Sequence, residues 1–324
     1  MAKAWSDFHA HFHQLLLDRQ LLPKSTSLLI AVSGGQDSLC LLKLLVDLQP
    51  HWHWQLAVAH CDHGWPGDEG LAEHVHEIAA YWKLDFYLKQ TCGLPLTESA
   101  ARSWRYEALT EIVQTVEFDS VVTAHTASDR AETMLYNLCR GSGADGLQAL
   151  TWQRTFLEPK YQLCRPLLAF SRQETAEFCQ TWQLPVWKDP ANQNLKFARN
   201  RIRQNLIPLM REQLNPKVEI HLAQTAEILH AEAQYLDSQA KLLLEKALQN
   251  TSLNRRLLQD SPLALQRRVV RSYLCGILPR APNFLETETI TKLLNGSHRS
   301  QSSTFPGLCI FAVEHDWIKL LRLK

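Results

Sequence analysis

Four features are missing from the 324-residue sequence, and each absence narrows the class of protein. No run of about eighteen apolar residues occurs, so no transmembrane helix is expected, and no charged-then-apolar leader opens the chain. None of the eight cysteines belongs to a Cys-x-x-Cys pair, which is typical of reduced thiols in the cytosol. Gly-Lys-Ser and Gly-Lys-Thr are also absent, which disfavours a Walker loop and transfer of a terminal phosphate. We therefore expect a cytoplasmic protein without a membrane partner.

A strong excess of charge of either sign is lacking too. The formal net charge is +1, and 45% of the residues are hydrophobic, enough for a core in each of two domains. The charge is uneven, because residues 140–212 carry 11 Lys and Arg against 6 Asp and Glu. This local excess predicts a basic region inside an otherwise neutral protein.

The sequence does contain a buried strand that ends in a loop of small residues. Residues 28–32 form a continuous apolar run, typical of a strand that is buried on both faces. Two glycines then allow a tight turn, and a helix predicted over 39–48 points its unpaired amides back at that turn. The pattern fits either an ordinary strand–helix turn or a phosphate site. The phosphate site is favoured because the loop resembles the pyrophosphate loop of ATP pyrophosphatases; its residues are Ser33, Gly34, Gly35, Gln36, Asp37 and Ser38.

Apolar strands alternate with amphipathic helices through the first half of the chain. Strands are predicted over 55–60, 86–88 and 120–124, and helices over 68–82 and 98–116. This order predicts an α/β fold with a doubly wound, mostly parallel sheet, in which ligands bind beyond the carboxyl ends of the strands. Ser33, His60 and His125 each stand at such an end, so we expect them to line one crevice.

Two carboxylates follow His125 on the next predicted helix. Asp129 and Glu132 share one face near the N-terminus of that helix. They could complement the helix dipole and do nothing more. The alternative, which the neighbouring histidine favours, is a site that binds Mg²⁺ or an ammonium group.

The helix predicted over 98–116 carries two arginines one turn apart. Arg102 is spaced to pair with Glu98, and a surface salt bridge is the usual role of such a pair. Arg105 lies among apolar residues near the inward boundary of the helix. It is therefore the stronger candidate for a functional site.

A basic stretch without acidic residues lies between 196 and 203. A solvated helix face would explain such a cluster. Its asparagines and Phe197 better suit contact with a polyanion, whose phosphates attract Arg and Lys. Nucleic acid is the expected partner, and the residues expected to contact it are Lys196, Arg199, Asn200, Arg201 and Arg203.

The remaining patterns define the domain organisation. A hairpin is predicted over 151–165, with its turn at 158–160, and a capping box over 171–174 begins a helix to about residue 182. The Gly-x-Gly-x-x-Gly string at 141–146 follows a helix instead of a strand, so it is not expected to bind a dinucleotide. We predict a catalytic domain over 1–214, a long connecting helix over 215–250 and a small, mainly helical domain over 251–324.

Motifs between residues 28 and 210 resemble the tRNA(Ile)-lysidine synthase family of PP-loop ATP pyrophosphatases. Two positions depart from the family pattern: Trp65-Pro66 stands where members usually have Leu-Arg, and Ser128 stands where a second aspartate is usual. The motifs that carry the resemblance are the loop at 33–38, His60 to Gly64, Glu98 to Arg102, Arg105-Tyr106, His125, Asp129 to Thr133, Arg140 to Gly143, Arg165 to Leu167, Asp189 to Asn192 and Arg199 to Arg203.

The resemblance implies a Rossmann-like fold of the adenine nucleotide alpha-hydrolase type, and a reaction. ATP would adenylate the C2 oxygen of the wobble cytidine of an isoleucine tRNA with a CAU anticodon, releasing pyrophosphate. The ε-amine of L-lysine would then attack C2 and displace AMP. The resemblance implies that the loop and His60 bind ATP, that Asp37 binds Mg²⁺ and that Arg105 binds the adenylated intermediate. It also implies that His125 orients the cytidine or assists proton transfer. Asp129 and Glu132 would bind the lysine ammonium.

Two other functions are compatible with the same loop. One is a tRNA thiolase, although thiolases usually carry cysteine pairs. The other, from a different class, is a noncatalytic RNA-binding protein that is regulated by a nucleotide. Lysine-dependent release of AMP and pyrophosphate in the presence of tRNA would distinguish them, and the sequence leaves a homodimer open.

Overall fold

A computed structural model of the chain describes residues 5–157, 160–187, 194–307 and 309–322. The chain divides into two compact units, Met1–Leu229 and His230–Lys324. Within the described ranges, none of the helices combines the length and the apolar character that a membrane crossing requires.

The first unit is built on a six-stranded sheet. The strands are β1 Ser27–Ala31, β2 Gln55–Asp62, β3 Asp85–Gln90, β4 Ser120–Val122, β5 Gln153–Thr155 and β6 Gln162–Cys164. Their order is β3-β2-β1-β4-β6-β5, and all neighbours are parallel except β5 and β6. The predicted mostly parallel sheet is therefore confirmed, and its strand order reverses direction between β1 and β4. Crevices at such a reversal are the usual ligand sites of α/β sheets.

Helices and short turns connect these strands. They are α1 Asp7–Asp18, α2 Gln36–Trp52, α3 Leu71–Tyr81, α4 Glu98–Val116, α5 Ala127–Cys139, α6 Ala144–Leu147, α7 Arg172–Thr181, α8 Ala198–Arg201, a π-helical turn over Ile202–Leu206, and α9 Ile207–Gln213. The predicted capping box at α7 is present, with Ser171 as its N-cap. The predicted hairpin is formed by β5 and β6, while residues 158 and 159 of its turn lie outside the described residues.

Both faces of the sheet are covered, as the apolar run in β1 predicts. Leu28 and Ile30 pack into a core with α1, α2, α3 and α7. Leu29, between them, points to a second core that contains Leu109 and Val113 of α4. Side chains alternate across a strand, so a strand buried on both faces needs apolar residues at every position.

The second unit combines helices with an antiparallel sheet. Helix α10, Val218–Ala247, begins in the first unit and continues into the second. The helices α11 Arg256–Gln259, α12 Leu263–Cys275 and α13 Phe284–Leu293 follow. The sheet has the order β7-β8-β10-β9, with β7 Leu248–Gln249, β8 Ser252–Asn254, β9 Cys309–Glu314 and β10 Trp317–Arg322. The domain that the sequence predicted as mainly helical over 251–324 contains α11, α12 and α13, but the pairing of β8 with β10 was not predicted.

Candidate active site

A cavity of about 610 Å³ opens at the carboxyl ends of β1, β2 and β4. It lies where the strand order reverses, and α2, α4, α5 and α7 contribute to its walls. The structure brings most of the expected site residues to this one cavity. Those that line it are Ser33, Gly35, Gln36, Asp37, Ser38, His60, Arg105, His125, Asp129 and Arg203.

The loop between β1 and α2 is shaped by a glycine and a serine. Gly34 has φ of +79°, and a Cβ at this position would lie 2.6 Å from Cδ1 of Leu71, so a side chain here would require displacement. The Ser38 hydroxyl donates to the carbonyl of Gly35 across 2.8 Å and accepts from the amide of Ser33 across 3.2 Å. Gly35 is the N-cap of α2 and has no side chain to cap it. The first amides of α2 are thus presented to the cavity, as an anion requires.

Arg172 joins two carboxylates across the cavity. Its Nε donates to Oδ2 of Asp37 over 3.1 Å, and its Nη2 donates to Oδ1 of Asp129 over 3.0 Å. The hydroxyl of Thr175 donates to the other oxygen of Asp37. Burial raises the pKa of Asp37 despite the neighbouring guanidinium. Burial also opposes the charge on Arg172, but the two carboxylates outweigh it and raise the pKa of that guanidinium.

The backbone of Arg172 is also hydrogen-bonded on both sides of the residue. Its amide donates to Oγ of Ser128 across 3.1 Å, and its carbonyl accepts from Nε2 of Gln36 across 2.7 Å. Ser128 is buried and lies in the first turn of α5. A serine at this position therefore fastens the N-terminus of α7 to α5.

His125 and Asp129 form a second pair on the cavity wall. Oδ2 of Asp129 accepts from the amide and the hydroxyl of Thr126, each across 2.8 Å, which completes a capping box at α5. Burial raises the pKa of Asp129, but the Arg172 guanidinium, the hydrogen bond from the Thr126 backbone and Arg203 more than compensate and lower it overall. Nδ1 of His125 lies 3.0 Å from Oγ1 of Thr123, and burial lowers the pKa of this imidazole to about 3. The pair thus consists of an ionised carboxylate and a neutral imidazole at neutral pH.

Glu132 is occupied by an arginine. Nε and Nη2 of Arg203 donate to its two oxygens across 2.6 and 2.8 Å, and Arg203 also lies 3.6 Å from Asp129. Glu132 is only 2% exposed and is not among the described residues that line the cavity. Burial raises its pKa although Arg203 opposes the shift. Its carboxylate therefore orients Arg203, and Arg203 is the member of the pair that reaches the cavity.

His60 lines the cavity and carries a buried acceptor that is unsatisfied within the described residues. Its Nδ1–H donates to the carbonyl of Val32 across 2.8 Å, which leaves Nε2 unprotonated in the neutral ring. This Nε2 is buried and has no hydrogen-bond partner within the described part of the chain. Burial lowers the pKa of His60, so the ring stays neutral. A ligand with a hydrogen-bond donor would satisfy it.

Arg105 belongs to an aromatic wall. Its Nη2 donates to Nε2 of His63 across 3.3 Å. The ring of His63 stacks on Trp65 at 5.0 Å, and Trp65 lies parallel to Phe197 at 6.4 Å. The indole of Trp65 links the loop after β2 to the start of the basic stretch.

Arg102 does not form the expected surface pair with Glu98. It lines the cavity and lies 5.0 Å above the ring of Tyr106, while Arg154 lies 5.1 Å from the same ring. Buried Arg165 also hydrogen-bonds Tyr106. Burial raises the pKa of Tyr106, but Arg102 and Arg165 outweigh it and lower the pKa overall. The prediction for Arg102 was wrong because its helix packs with this face toward the cavity.

The basic stretch is more ordered internally than its sequence suggests. Asn200 is buried, and its amide donates to the carbonyl of Asn194 across 2.9 Å. Nη1 of Arg201 donates to the carbonyls of Leu195 and Lys196 across 3.0 and 2.9 Å. Lys196 itself is exposed. The motif at Asp189 to Asn192 lies outside the described residues.

Sequence reasoning missed the central role of Arg172. The residue was visible only as part of the capping box at α7, directly after Ser171. Its partners Asp37 and Asp129 are 135 and 43 positions away in the chain. The available signal was its proximity in sequence to the Arg165-Pro166-Leu167 motif.

Comparison with known proteins agrees with this geometry. Residues 5–210 match the family model of the PP-loop domain. The tRNA(Ile)-lysidine synthase of Nostoc sp. (strain PCC 7120) is 50% identical over 98% of this chain and 97% of its own length, and that of Synechocystis sp. (strain PCC 6803) is 50% identical over 98% of each. The chloroplastic tRNA(Ile)-lysidine synthase of Zygnema circumcarinatum is 38% identical over 86% of this chain and 77% of its own.

A solved structure shares the fold at low sequence identity. The U34-tRNA thiolase NcsA from Methanococcus maripaludis superimposes with a TM-score of 0.56 and 16% identity, over 69% of this chain and 80% of that one. The likeness concerns the fold alone, whereas the curated relatives match along nearly the whole sequence. The chain therefore belongs to the tRNA(Ile)-lysidine synthase family of PP-loop proteins.

Proposed function

We propose that the protein uses ATP to couple L-lysine to C2 of the wobble cytidine of an isoleucine tRNA with a CAU anticodon, in the cytoplasm. The observation that carries the proposal is that one arginine bridges Asp37 beside the phosphate loop and Asp129 beside His125, so that both halves of the reaction share one cavity. The names of its relatives support the same substrate and product.

The loop from Ser33 to Ser38 is the proposed site of the ATP phosphates. Its glycines let backbone amides approach the β and γ phosphates, and the dipole of α2 favours the negative charge that grows on departing pyrophosphate. The cytidine O2 attacks the α-phosphorus, and the bond between the α-phosphorus and the bridging oxygen breaks. Nε2 of His60 is free to accept a hydrogen bond from the nucleotide.

Mg²⁺ fits the residues at this end of the cavity. In the described ranges no three His, Cys, Asp or Glu side chains are grouped as metal ligands. Mg²⁺ commonly uses one or two carboxylates together with substrate phosphates and water, so a caged site is not required. Asp37 would hold the ion, which would neutralise phosphate charge when bound.

Asp129 is the proposed ligand of the lysine ε-ammonium. It is ionised and already binds the cationic guanidinium of Arg172, so an ammonium would take a position suited to a positive charge. The amine then loses a proton and attacks C2, and the C2–O bond to AMP breaks. His125, whose ring is neutral, is placed to hydrogen-bond the cytidine, whereas its low pKa makes it a poor acceptor for this proton.

Arg105 and the basic stretch are proposed to hold the anionic parts of the substrates. Arg105 lines the cavity and suits the phosphate of the adenylated intermediate. Lys196, Arg199 and Arg201 would contact the phosphates of the tRNA. The bidentate contact with Arg203 makes an indirect role the simpler proposal for Glu132: it positions Arg203 instead of binding lysine itself.

A thiolase would need a reactive thiolate, and the cysteine that lines the cavity is poorly suited to that role. Burial raises the pKa of Cys61 to about 11, which keeps its thiol protonated at neutral pH. This residue does not support sulfur transfer.

The deciding experiment measures product release with a tRNA transcript that carries the CAU anticodon. We expect AMP and pyrophosphate to be released in equal amounts over many turnovers only when lysine, ATP and the transcript are all present, since without lysine the reaction stops after adenylation and the release of one pyrophosphate. Asp37→Ala should abolish pyrophosphate release while leaving tRNA binding near normal. Thiolation with a sulfide donor serves as the control reaction. Thiolated tRNA, or failure to release AMP with lysine, would contradict the proposal.

A further inference from the structure

A second cleft lies on the other side of the basic stretch, between the end of α5 and the π-helical turn. Its volume is about 490 Å³, and its floor is apolar, formed by Ile202, Leu206 and Leu209. Ile202 and Leu206 pack against Leu135 of α5, so the floor is part of a small hydrophobic core. This cleft is separate from the cavity described above and shares none of its lining residues.

The rim of this cleft is cationic. The guanidinium of Arg140 lies 5.2 Å above the ring of Tyr136 and donates to its hydroxyl across 3.0 Å. Arg201 also lines the cleft, and its Nη1 donates to two backbone carbonyls. Neither arginine forms an ion pair with a carboxylate of the described residues. The combination of an apolar floor, an aromatic ring and two unneutralised guanidinium groups suits a flat base flanked by phosphates.

The two clefts are connected through consecutive residues. Arg201 and Ile202 line the second cleft, whereas Arg203 lines the first and contacts Asp129 and Glu132. The π-helical turn Ile202–Leu206 begins at this point, and such turns are frequent at functional sites. The two clefts therefore border the same short basic segment, and one RNA strand is long enough to reach both.

We infer that the second cleft binds one unstacked base of the anticodon loop, next to the wobble nucleotide in the first cavity. The inference rests on the proposed function for the identity of the RNA. The base stacks on the Tyr136–Arg140 pair and covers Leu209, and its flanking phosphates contact Arg140 and Arg201. The cleft thereby holds the loop open while the wobble cytidine is turned into the active site.

Two matched leucines provide the test. Leu209 and Leu138 are both 55% exposed, but only Leu209 lines the cleft. We compare Leu209→Asp with Leu138→Asp by fluorescence anisotropy, using the anticodon stem-loop of an isoleucine tRNA with a CAU anticodon. Leu209→Asp should weaken binding about tenfold, the order expected for one lost stacked base, and Leu138→Asp should leave it unchanged. Unchanged ATP affinity in both variants checks that the first cavity is intact.

Abasic substitutions in the RNA identify the base. An abasic site at one position beside the wobble nucleotide should weaken binding of the stem-loop to the wild type about tenfold. The same abasic RNA should bind the Leu209→Asp variant almost as well as the intact RNA does. Equal binding by the wild type and Leu209→Asp would overturn the inference and leave the proposed function standing. The inference would also be overturned if, at every loop position, the losses of affinity from the abasic site and from Leu209→Asp were fully additive. If the wild type neither binds the stem-loop nor releases AMP with lysine, the proposed function fails together with the inference.

Discussion

Nη2 of Arg172 lies 3.0 Å from Oδ1 of Asp129, at the first turns of two helices that meet over the sheet. The same guanidinium reaches Asp37 at the start of α2. Three helix N-termini are thereby joined through one side chain. The Arg172 guanidinium therefore occupies the carboxylates to which the proposed reaction brings two further cations, the lysine ammonium and Mg²⁺. Each of these cations must share its carboxylate with the guanidinium or displace it.

Two replacements of Arg172 distinguish the contribution of its positive charge from that of its planar geometry. Arg172→Gln leaves Asp37 and Asp129 facing one another without the cation, and we expect kcat/KM for lysine to fall about 10- to 100-fold, in line with ~1.5–3 kcal/mol for a charged hydrogen bond. Arg172→Lys keeps the charge but cannot contact both carboxylates as a planar fork, so it should lose less. Steady-state kinetics with varied lysine measures both. Wild-type kinetics in Arg172→Gln would show that the bridge is not used.

The contact between Glu132 and Arg203 predicts coupled behaviour. If Glu132 acts by orienting Arg203, Glu132→Gln and Arg203→Gln should each lower lysidine formation by about tenfold or more, and the double variant should be little worse than either. If Glu132 binds lysine directly, as the sequence suggested, Glu132→Gln should raise the KM for lysine while Arg203→Gln does not. Measuring kcat and KM for the three variants distinguishes the two roles.

Local patterns predicted the elements that place the site, because each depends on neighbours in sequence. The apolar run of β1 and the glycines that follow it identified the phosphate loop, and the Ser171 capping box identified the start of α7. The role of Arg172 could not be predicted in this way, since its contacts form only when α2, α5 and α7 assemble. Arg102 was misassigned for a related reason: helical spacing places it near Glu98, but only packing decides which face turns inward.

The second unit shows the same limit. The sequence predicted a small, mainly helical domain over 251–324, and helices α12 and α13 lie within it. Strand β8 has three residues, too few for a period of two to be recognised, and its pairing with β10 joins segments more than 60 positions apart. Short strands with distant partners depend on tertiary contacts that sequence patterns do not record.

Glu227 predicts an acid-sensitive contribution to stability. It accepts hydrogen bonds from Arg130 and Trp152 across 2.7 and 2.8 Å, and also from Arg19. Burial raises its pKa, but these donors outweigh burial and lower it below the ordinary 4.5. Because the unfolded chain then binds the proton more tightly, the stabilisation is complete above about pH 4.5 and is lost as the pH falls through the lower, folded-state pKa.

We therefore expect Glu227→Gln to destabilise the protein at neutral pH and to flatten this acid dependence. Arg130 is only 2% exposed, so removing the Glu227 carboxylate leaves a buried guanidinium without its partner. We expect the free energy of unfolding to fall by about 2 kcal/mol or more, less than for a fully buried pair because Glu227 is partly exposed. Urea unfolding, followed by tryptophan fluorescence from about pH 3 to about pH 7, measures the free energy of unfolding and its pH dependence. This range includes the pH values at which carboxylates usually titrate. Glu77→Gln, at an exposed glutamate, is the control and should change neither quantity.

The basic stretch predicts how RNA binding depends on salt. Lys196 and Arg199 are placed to contact phosphates without the structural carbonyl contacts of Arg201 or the carboxylate contacts of Arg203. Each phosphate contact releases counterions, so neutralising both as Lys196→Gln and Arg199→Gln should reduce the slope of log Kd against log salt by about 2. Lys241→Gln and Lys246→Gln, in α10, form a control of equal charge change with an unaltered slope expected. An unchanged slope in the first pair would assign these cations to a solvated helix face, and the phosphate contacts would then have to come from elsewhere.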